Sequence, residues 1–223
     1  MNSKVKYYWL LLLIPLIFVG WYFASQKENR PARYLPYFGP KTYGAKSSDT
    51  AFHTVPAFEF TDQYNEKVDL NTVKNSIYVT EYFFTTCQSI CPVMNTNLEK
   101  VYLAFKSRPD FLILSHTVDP ETDSVAVLKE YAETHGVKDK KWLFVTGPKP
   151  KLYEMARKGY LLNAESGNGG EEDFIHTQNF ALVDKERHIR GFYDGTDSLE
   201  IDRMIKEINV LLGEYDYKKS AAR

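Results

Sequence analysis

At 223 residues the chain is long enough for one ordinary domain with extensions, and short for two. An apolar share of 43% and a charged share of 26% describe a folded protein and exclude a disordered one. A formal net charge of −1 and the lack of a basic stripe argue against nucleic-acid binding.

The first predicted element is an uncharged run at residues 7–24, YYWLLLLIPLIFVGWYFA. Its 18 residues reach the lower limit for a helix crossing a hydrocarbon core. Tyr7, Tyr8, Trp9, Trp21 and Tyr22 stand near its ends, where amphipathic rings settle among headgroups. Pro15 removes one backbone hydrogen bond, a defect that lipid-embedded helices tolerate. Lys4 and Lys6 precede the run, so the positive-inside rule keeps the N-terminus in the cytoplasm. The prediction is a single-pass anchor in a bacterial inner membrane, with the rest of the chain in the periplasm. A cleaved signal peptide is the competing reading, but bulky Trp21, Tyr22 and Phe23 stand where cleavage needs small residues.

Residues 26–52 carry Pro31, Pro36, Pro40, Gly39 and Gly44 among polar residues and predict a semi-extended linker. Its stretch 34–38 is apolar enough to pack on the domain. The domain itself is placed at 53–213, after a cytoplasmic tip and anchor at 1–25 and before a flexible tail at 214–223. Residues 57–70 alternate around a turn at 62–65 and predict a hairpin. Two β-branched and aromatic runs, 77–84 and 111–118, predict buried strands. Helices are predicted at 92–106, 124–135 and 149–158, with Pro92 suited to a first turn and Gly136 to a helix end. A short strand at 142–146, a hairpin at 180–193 and a helix at 198–212 complete an α/β fold. The stretch 165–172 reads as a flexible loop.

The only two cysteines, Cys87 and Cys91, are four residues apart, too few and too close for a disulfide scaffold. Cys87 follows a predicted strand and Cys91 opens a predicted helix. Residues so spaced on a helical turn share one face, so both sulfurs can meet one ion or each other. A helix N-terminus favours the thiolate, the form that attacks disulfides and ligates metal. Thiolates are soft ligands that favour Cu(I), with zinc as a competitor. The pair is therefore a redox couple, a metal clip or both; two buried core cysteines are the plain alternative.

The run 82–92, YFFTTCQSICP, resembles the metal-binding signature of the Sco (SenC/PrrC) family. The run 118–123, VDPETD, is similar to the family's second motif, and His176 falls where the family carries a histidine ligand. The likeness spans roughly residues 53 to 212. It implies a thioredoxin-like fold, a central mixed sheet flanked by helices. It also implies one copper ion, as Cu(I) or Cu(II), held by Cys87, Cys91 and His176. The implied partners are an upstream copper donor and the cytochrome c oxidase subunit that holds a binuclear copper site. On this reading the chain is a copper chaperone more than an enzyme.

The alternative is a thiol–disulfide oxidoreductase that reduces the oxidase subunit's copper-ligand cysteines, with Cys87 and Cys91 as its redox pair. No proline follows His176 like the one thioredoxins place opposite their cysteines, which weakens general disulfide exchange. Asp119 is a candidate for orienting a metal ligand, although Asp-Pro after a strand is also common turn chemistry. Glu81 is a weaker candidate. His116 is expected to pack near the site without ligating. His53, His135 and His188 are expected to be solvated, and Met94 and Met155 to be core.

Overall fold

The structure is a computed structural model that describes residues 34–43, 50–162, 173, 175 and 177–221. The run predicted as a membrane anchor, the glycine-rich stretch before His176, and His176 itself lie outside the described residues. Among the described residues no helix is long and apolar enough to cross a membrane.

Two strands form the centre. β5 (Ile77–Phe83) and β6 (Phe111–Thr117) are buried along their whole length. Their near-continuous apolar character suits strands covered on both faces. They pair in parallel, Ile77 against Phe111 through Phe83 against Thr117. β7 (Trp142–Thr146) adds a third parallel strand beside β6. The crossovers pass through helices α1 (Cys91–Phe105) and α2 (Val125–Thr134). On the other side of β5 lies β8 (Asn179–Val183), antiparallel, followed by β9 (Ile189–Asp194). β3 (Glu59–Asp62) and β4 (Lys67–Asp69) extend the far edge beyond β7. The result is one mixed sheet in the order β4-β3-β7-β6-β5-β8-β9. A separate two-stranded pair joins β1 (Lys41–Thr42) to β2 (Ala51–Phe52).

Alternation along the strands divides the core. Ile77, Val79 and Phe83 face one layer, with α1, α2 and α4 (Ser198–Ala221). Tyr78 and Tyr82 face the other, with Val55, Phe58 and α3 (Lys149–Glu154). α3 runs on as a π-helical turn, Met155–Gly159. Such turns were not expected from the sequence and are frequent at functional sites.

Both hairpins use the same turn chemistry. Asp62 Oδ1 accepts from the backbone N–H of Tyr64 at 2.9 Å and of Glu66 at 2.8 Å. Asp184 Oδ1 accepts from Glu186 at 3.0 Å and His188 at 2.8 Å. An aspartate that binds its own downstream backbone closes a turn without help from distant residues.

The apolar stretch 34–38 of the expected linker packs on the domain, as its composition allows: Leu35 is buried and Phe38 bridges to Ile189. The last helix continues to Ala221, where a flexible tail was expected from residue 214. One buried cluster explains both. The Arg190 guanidinium donates to Asp184 at 3.0 Å, to both carboxylate oxygens of Glu214, and to the carbonyls of Leu35 and Pro36. Glu214 in turn accepts from the Leu35 backbone N–H at 2.7 Å. The extra helical turns bring Glu214 to a buried charge that Asp184 alone would otherwise have to balance.

Candidate metal centre

The cysteine pair stands at the C-terminal end of β5. There the sheet order reverses, with β6 and β7 to one side and β8 to the other. Open α/β sheets bind ligands outside the carboxyl ends of strands at such a switch point. Cys87 is half-buried, in the turn after the strand, and its N–H donates to the Phe84 carbonyl at 3.2 Å. Cys91 is buried as the first residue of α1, with Pro92 in the first turn as predicted. Both are free thiols. Phe84, Cys87, Ile90 and Tyr131 are partly buried and pack against the first core layer.

The two sulfurs are electrostatically unlike. Partial burial opposes a charge on Cys87, but hydrogen bonds from the Cys91 thiol and backbone, and from Ser89, outweigh it and lower Cys87 to about 7. Burial, then the bond to Cys87, push Cys91 up to about 12. Cys87 thus reaches the thiolate state near neutral pH, while Cys91 keeps its proton and stabilises the neighbouring sulfur. One sulfur is ready for a nucleophilic attack or a soft metal, and the second lies one turn away.

Behind Cys91 lies Glu81, fully buried on the same sheet face. Its Oε1 accepts from the Ser115 hydroxyl at 2.6 Å, and that hydroxyl accepts from Trp142 Nε1 at 2.8 Å. Its other oxygen has no hydrogen-bond partner among the described residues. Burial raises the Glu81 carboxyl to about 8, against a smaller lowering by Ser115. It is therefore largely protonated at neutral pH, and the cysteine pair has a neutral acid at its back. A single acid in an apolar strand shows no partner in sequence, and Ser115, its partner here, lies on the neighbouring strand.

The second motif supplies a different aspartate from the one favoured by sequence. Asp119 is half-buried, and its backbone N–H bonds to Thr117 Oγ1 at 2.9 Å. The carboxylate wired into the site is that of Asp123, which is fully buried. It accepts from the Thr85 backbone N–H at 3.3 Å and from the hydroxyls of Thr85 and Thr117. Asp123 thereby holds the turn that carries Cys87 against the end of β6.

The remaining histidines are accounted for. His116 is buried on the opposite sheet face, stacked on Tyr82 with ring centroids 5.0 Å apart and bonded to Thr80 at 3.1 Å. Burial lowers it to about 3, so it is neutral. His53, His135 and His188, expected to be solvated, each bond to protein instead: to the Gly159 carbonyl, Glu99 and the His53 carbonyl respectively. Met94 and Met155 are core on opposite faces, as predicted. Among the described residues no three His, Cys, Asp or Glu side chains are grouped to hold a metal.

The chain is similar to known proteins in sequence and fold. The SCO1/SenC family model fits residues 46–213, three quarters of the chain. The chain belongs to the SCO1/SenC family. Among its SCO1/SenC relatives, the SCO1 protein homolog of Bacillus subtilis is 28% identical over 167 residues, covering 74% of this chain and 86% of that one. The solved structure of BsSco, a Sco-family cytochrome c oxidase assembly protein with an identified disulfide switch, is 27% identical with a TM-score of 0.60. It covers 71% of this chain and 93% of that one. Yeast Sco1, solved with copper bound, shares the fold at 22% identity and a TM-score of 0.52, over 70% of this chain and 88% of that one.

Proposed function

We propose that the chain binds one copper ion through Cys87, Cys91 and His176 and passes it on during assembly of the binuclear copper site of cytochrome c oxidase. The observation that carries this reading is the pair of free, unlike thiols, hydrogen-bonded to each other just past the C-terminal end of β5. Two thiolates suit Cu(I), and an imidazole added to them also suits Cu(II). Binding deprotonates the thiols and releases their protons, so uptake is favoured by a sulfur already lowered to about 7. β8 begins at Asn179, beside the end of β5 from which Cys87 departs, and His176 precedes it by three residues. Membership of a family that includes a cytochrome c oxidase assembly protein supports the recipient. On this reading the run 7–24 anchors the domain in the bacterial inner membrane, facing the periplasm.

The second reading, reduction of the oxidase subunit's copper-ligand cysteines, is favoured by the split between Cys87 and Cys91. The Cys87 thiolate would attack a substrate disulfide, and Cys91 would then give up its proton and displace the substrate thiol. The two electrons leave the pair as it becomes a disulfide. His176→Ala separates the readings. The chaperone reading predicts a large loss of Cu(II) binding, measured by sulfur-to-copper absorption, with disulfide reduction of a cysteine-containing peptide unchanged. Normal copper binding in His176→Ala, with loss of peptide reduction alone in Cys87→Ala, would favour the oxidoreductase.

A further inference from the structure

His176 lies outside the described residues, but Asp173 and Ile175, shortly before it, are each bonded to the protein. Two residues of one helical platform hold them. Arg157, in the π-helical turn, forms a two-pronged ion pair with Asp173 at 2.9 and 2.6 Å. Both partners are nearly buried, at 13% and 11% side-chain exposure, so the pair is shielded from solvent. Tyr153, one turn earlier in α3, accepts a hydrogen bond from the Ile175 backbone. Its hydroxyl donates to the Val118 carbonyl at 2.7 Å, at the start of the VDPETD motif. The Arg157 guanidinium lies over the Tyr153 ring, 5.6 Å from its centroid. Ile175 is buried in the second core layer. The platform is tied to the central sheet by Tyr82, whose hydroxyl donates to the Leu152 carbonyl at 2.9 Å.

We propose that Tyr153 and Arg157 are positioning residues for His176, fixing residues 173 and 175 and thereby the place of the imidazole relative to the two sulfurs. The inference rests on the copper-binding reading. Asp173 is three residues before the histidine and Ile175 immediately before it, so the free backbone between anchor and ligand is minimal. Downstream, strand β8 begins only three residues later. Helix α3 and the π-helical turn that continues it present Tyr153 and Arg157 to the same short segment. Groups that orient metal ligands change affinity by roughly 10- to 100-fold when removed.

The test uses the full chain in detergent, loaded with Cu(II), with Tyr153→Phe and Asp173→Asn made alone and combined with His176→Ala. Tyr153→Phe removes only the hydroxyl, and Asp173→Asn only the charge. Each is expected to weaken Cu(II) binding about tenfold and to alter the nitrogen hyperfine pattern. In the His176→Ala background neither is expected to weaken binding further, because the residue they position is gone. Equal weakening with and without His176, or no weakening at all, overturns the proposal. A metal-free measurement keeps it separate from the copper reading. The His176 ring resonance, assigned by its loss in His176→Ala, is expected to shift in both single variants, and an unmoved resonance overturns the proposal even if copper is never bound.

Discussion

Arg190→Ala is expected to destabilise the domain by about 4 kcal/mol, because it leaves two buried carboxylates without their cation. Asp184 and Glu214 are each about 1% exposed at the side chain and both bond to the guanidinium. Burial works against the charge on Arg190, but Glu214 and Asp184 outweigh it and raise its pKa. The carbonyls of Leu35 and Pro36 lose donors as well. A domain of this kind is stable by about 5–15 kcal/mol, so the loss is a large fraction of the total. Arg190→Lys keeps the charge but not the planar fork and is expected to fall between. Urea denaturation measures the change, and a loss below about 1 kcal/mol in Arg190→Ala would show that the cluster contributes little.

Glu81→Gln is expected to reverse a stability loss that the natural residue imposes at high pH. The folded chain holds the Glu81 proton up to about pH 8, whereas an ordinary glutamate releases it near 4.5. Between those values the folded state binds more protons than the unfolded one. Stability from this group is therefore full below about 4.5 and falls as pH rises through 8. At about 1.36 kcal/mol per pKa unit, the full loss is on the order of 5 kcal/mol. Cys87, lowered to about 7, acts in the opposite sense above that pH, and His116, lowered to about 3, does so in acid. Comparing Glu81→Gln with the natural protein at each pH removes those shared contributions. The variant should gain on the natural protein by about 4 kcal/mol between pH 4 and pH 9. Two parallel stability curves would show that Glu81 is not held neutral by the fold.

Much of the frame was legible because it depends on local chemistry. Apolar runs long enough for one strand predicted β5 and β6, and the position of Pro92 predicted the start of α1. The cysteines were legible as a pair because their spacing is a helical turn. What the sequence hid was non-local. Leu35 and Glu214 are 179 residues apart and are joined by a single hydrogen bond. No periodicity reveals that the chain must meet there, or that the last helix must run on past Glu214 to Ala221. Asp119 and Asp123 lie in one motif, and only the packing of Thr85 and Thr117 decides which carboxylate is buried. Glu81 depended on register, which sets its face toward α1 and its partner Ser115 on β6. The π-helical turn has no sequence signature of its own, and its consequence, an arginine aimed at Asp173, appears only in three dimensions.

The most direct test of the account is a copper titration of the reduced full chain against a chromophoric Cu(I) chelator. The account predicts one equivalent bound by the natural protein and none bound tightly by Cys87→Ala or Cys91→Ala. Undiminished uptake in either cysteine variant would contradict it.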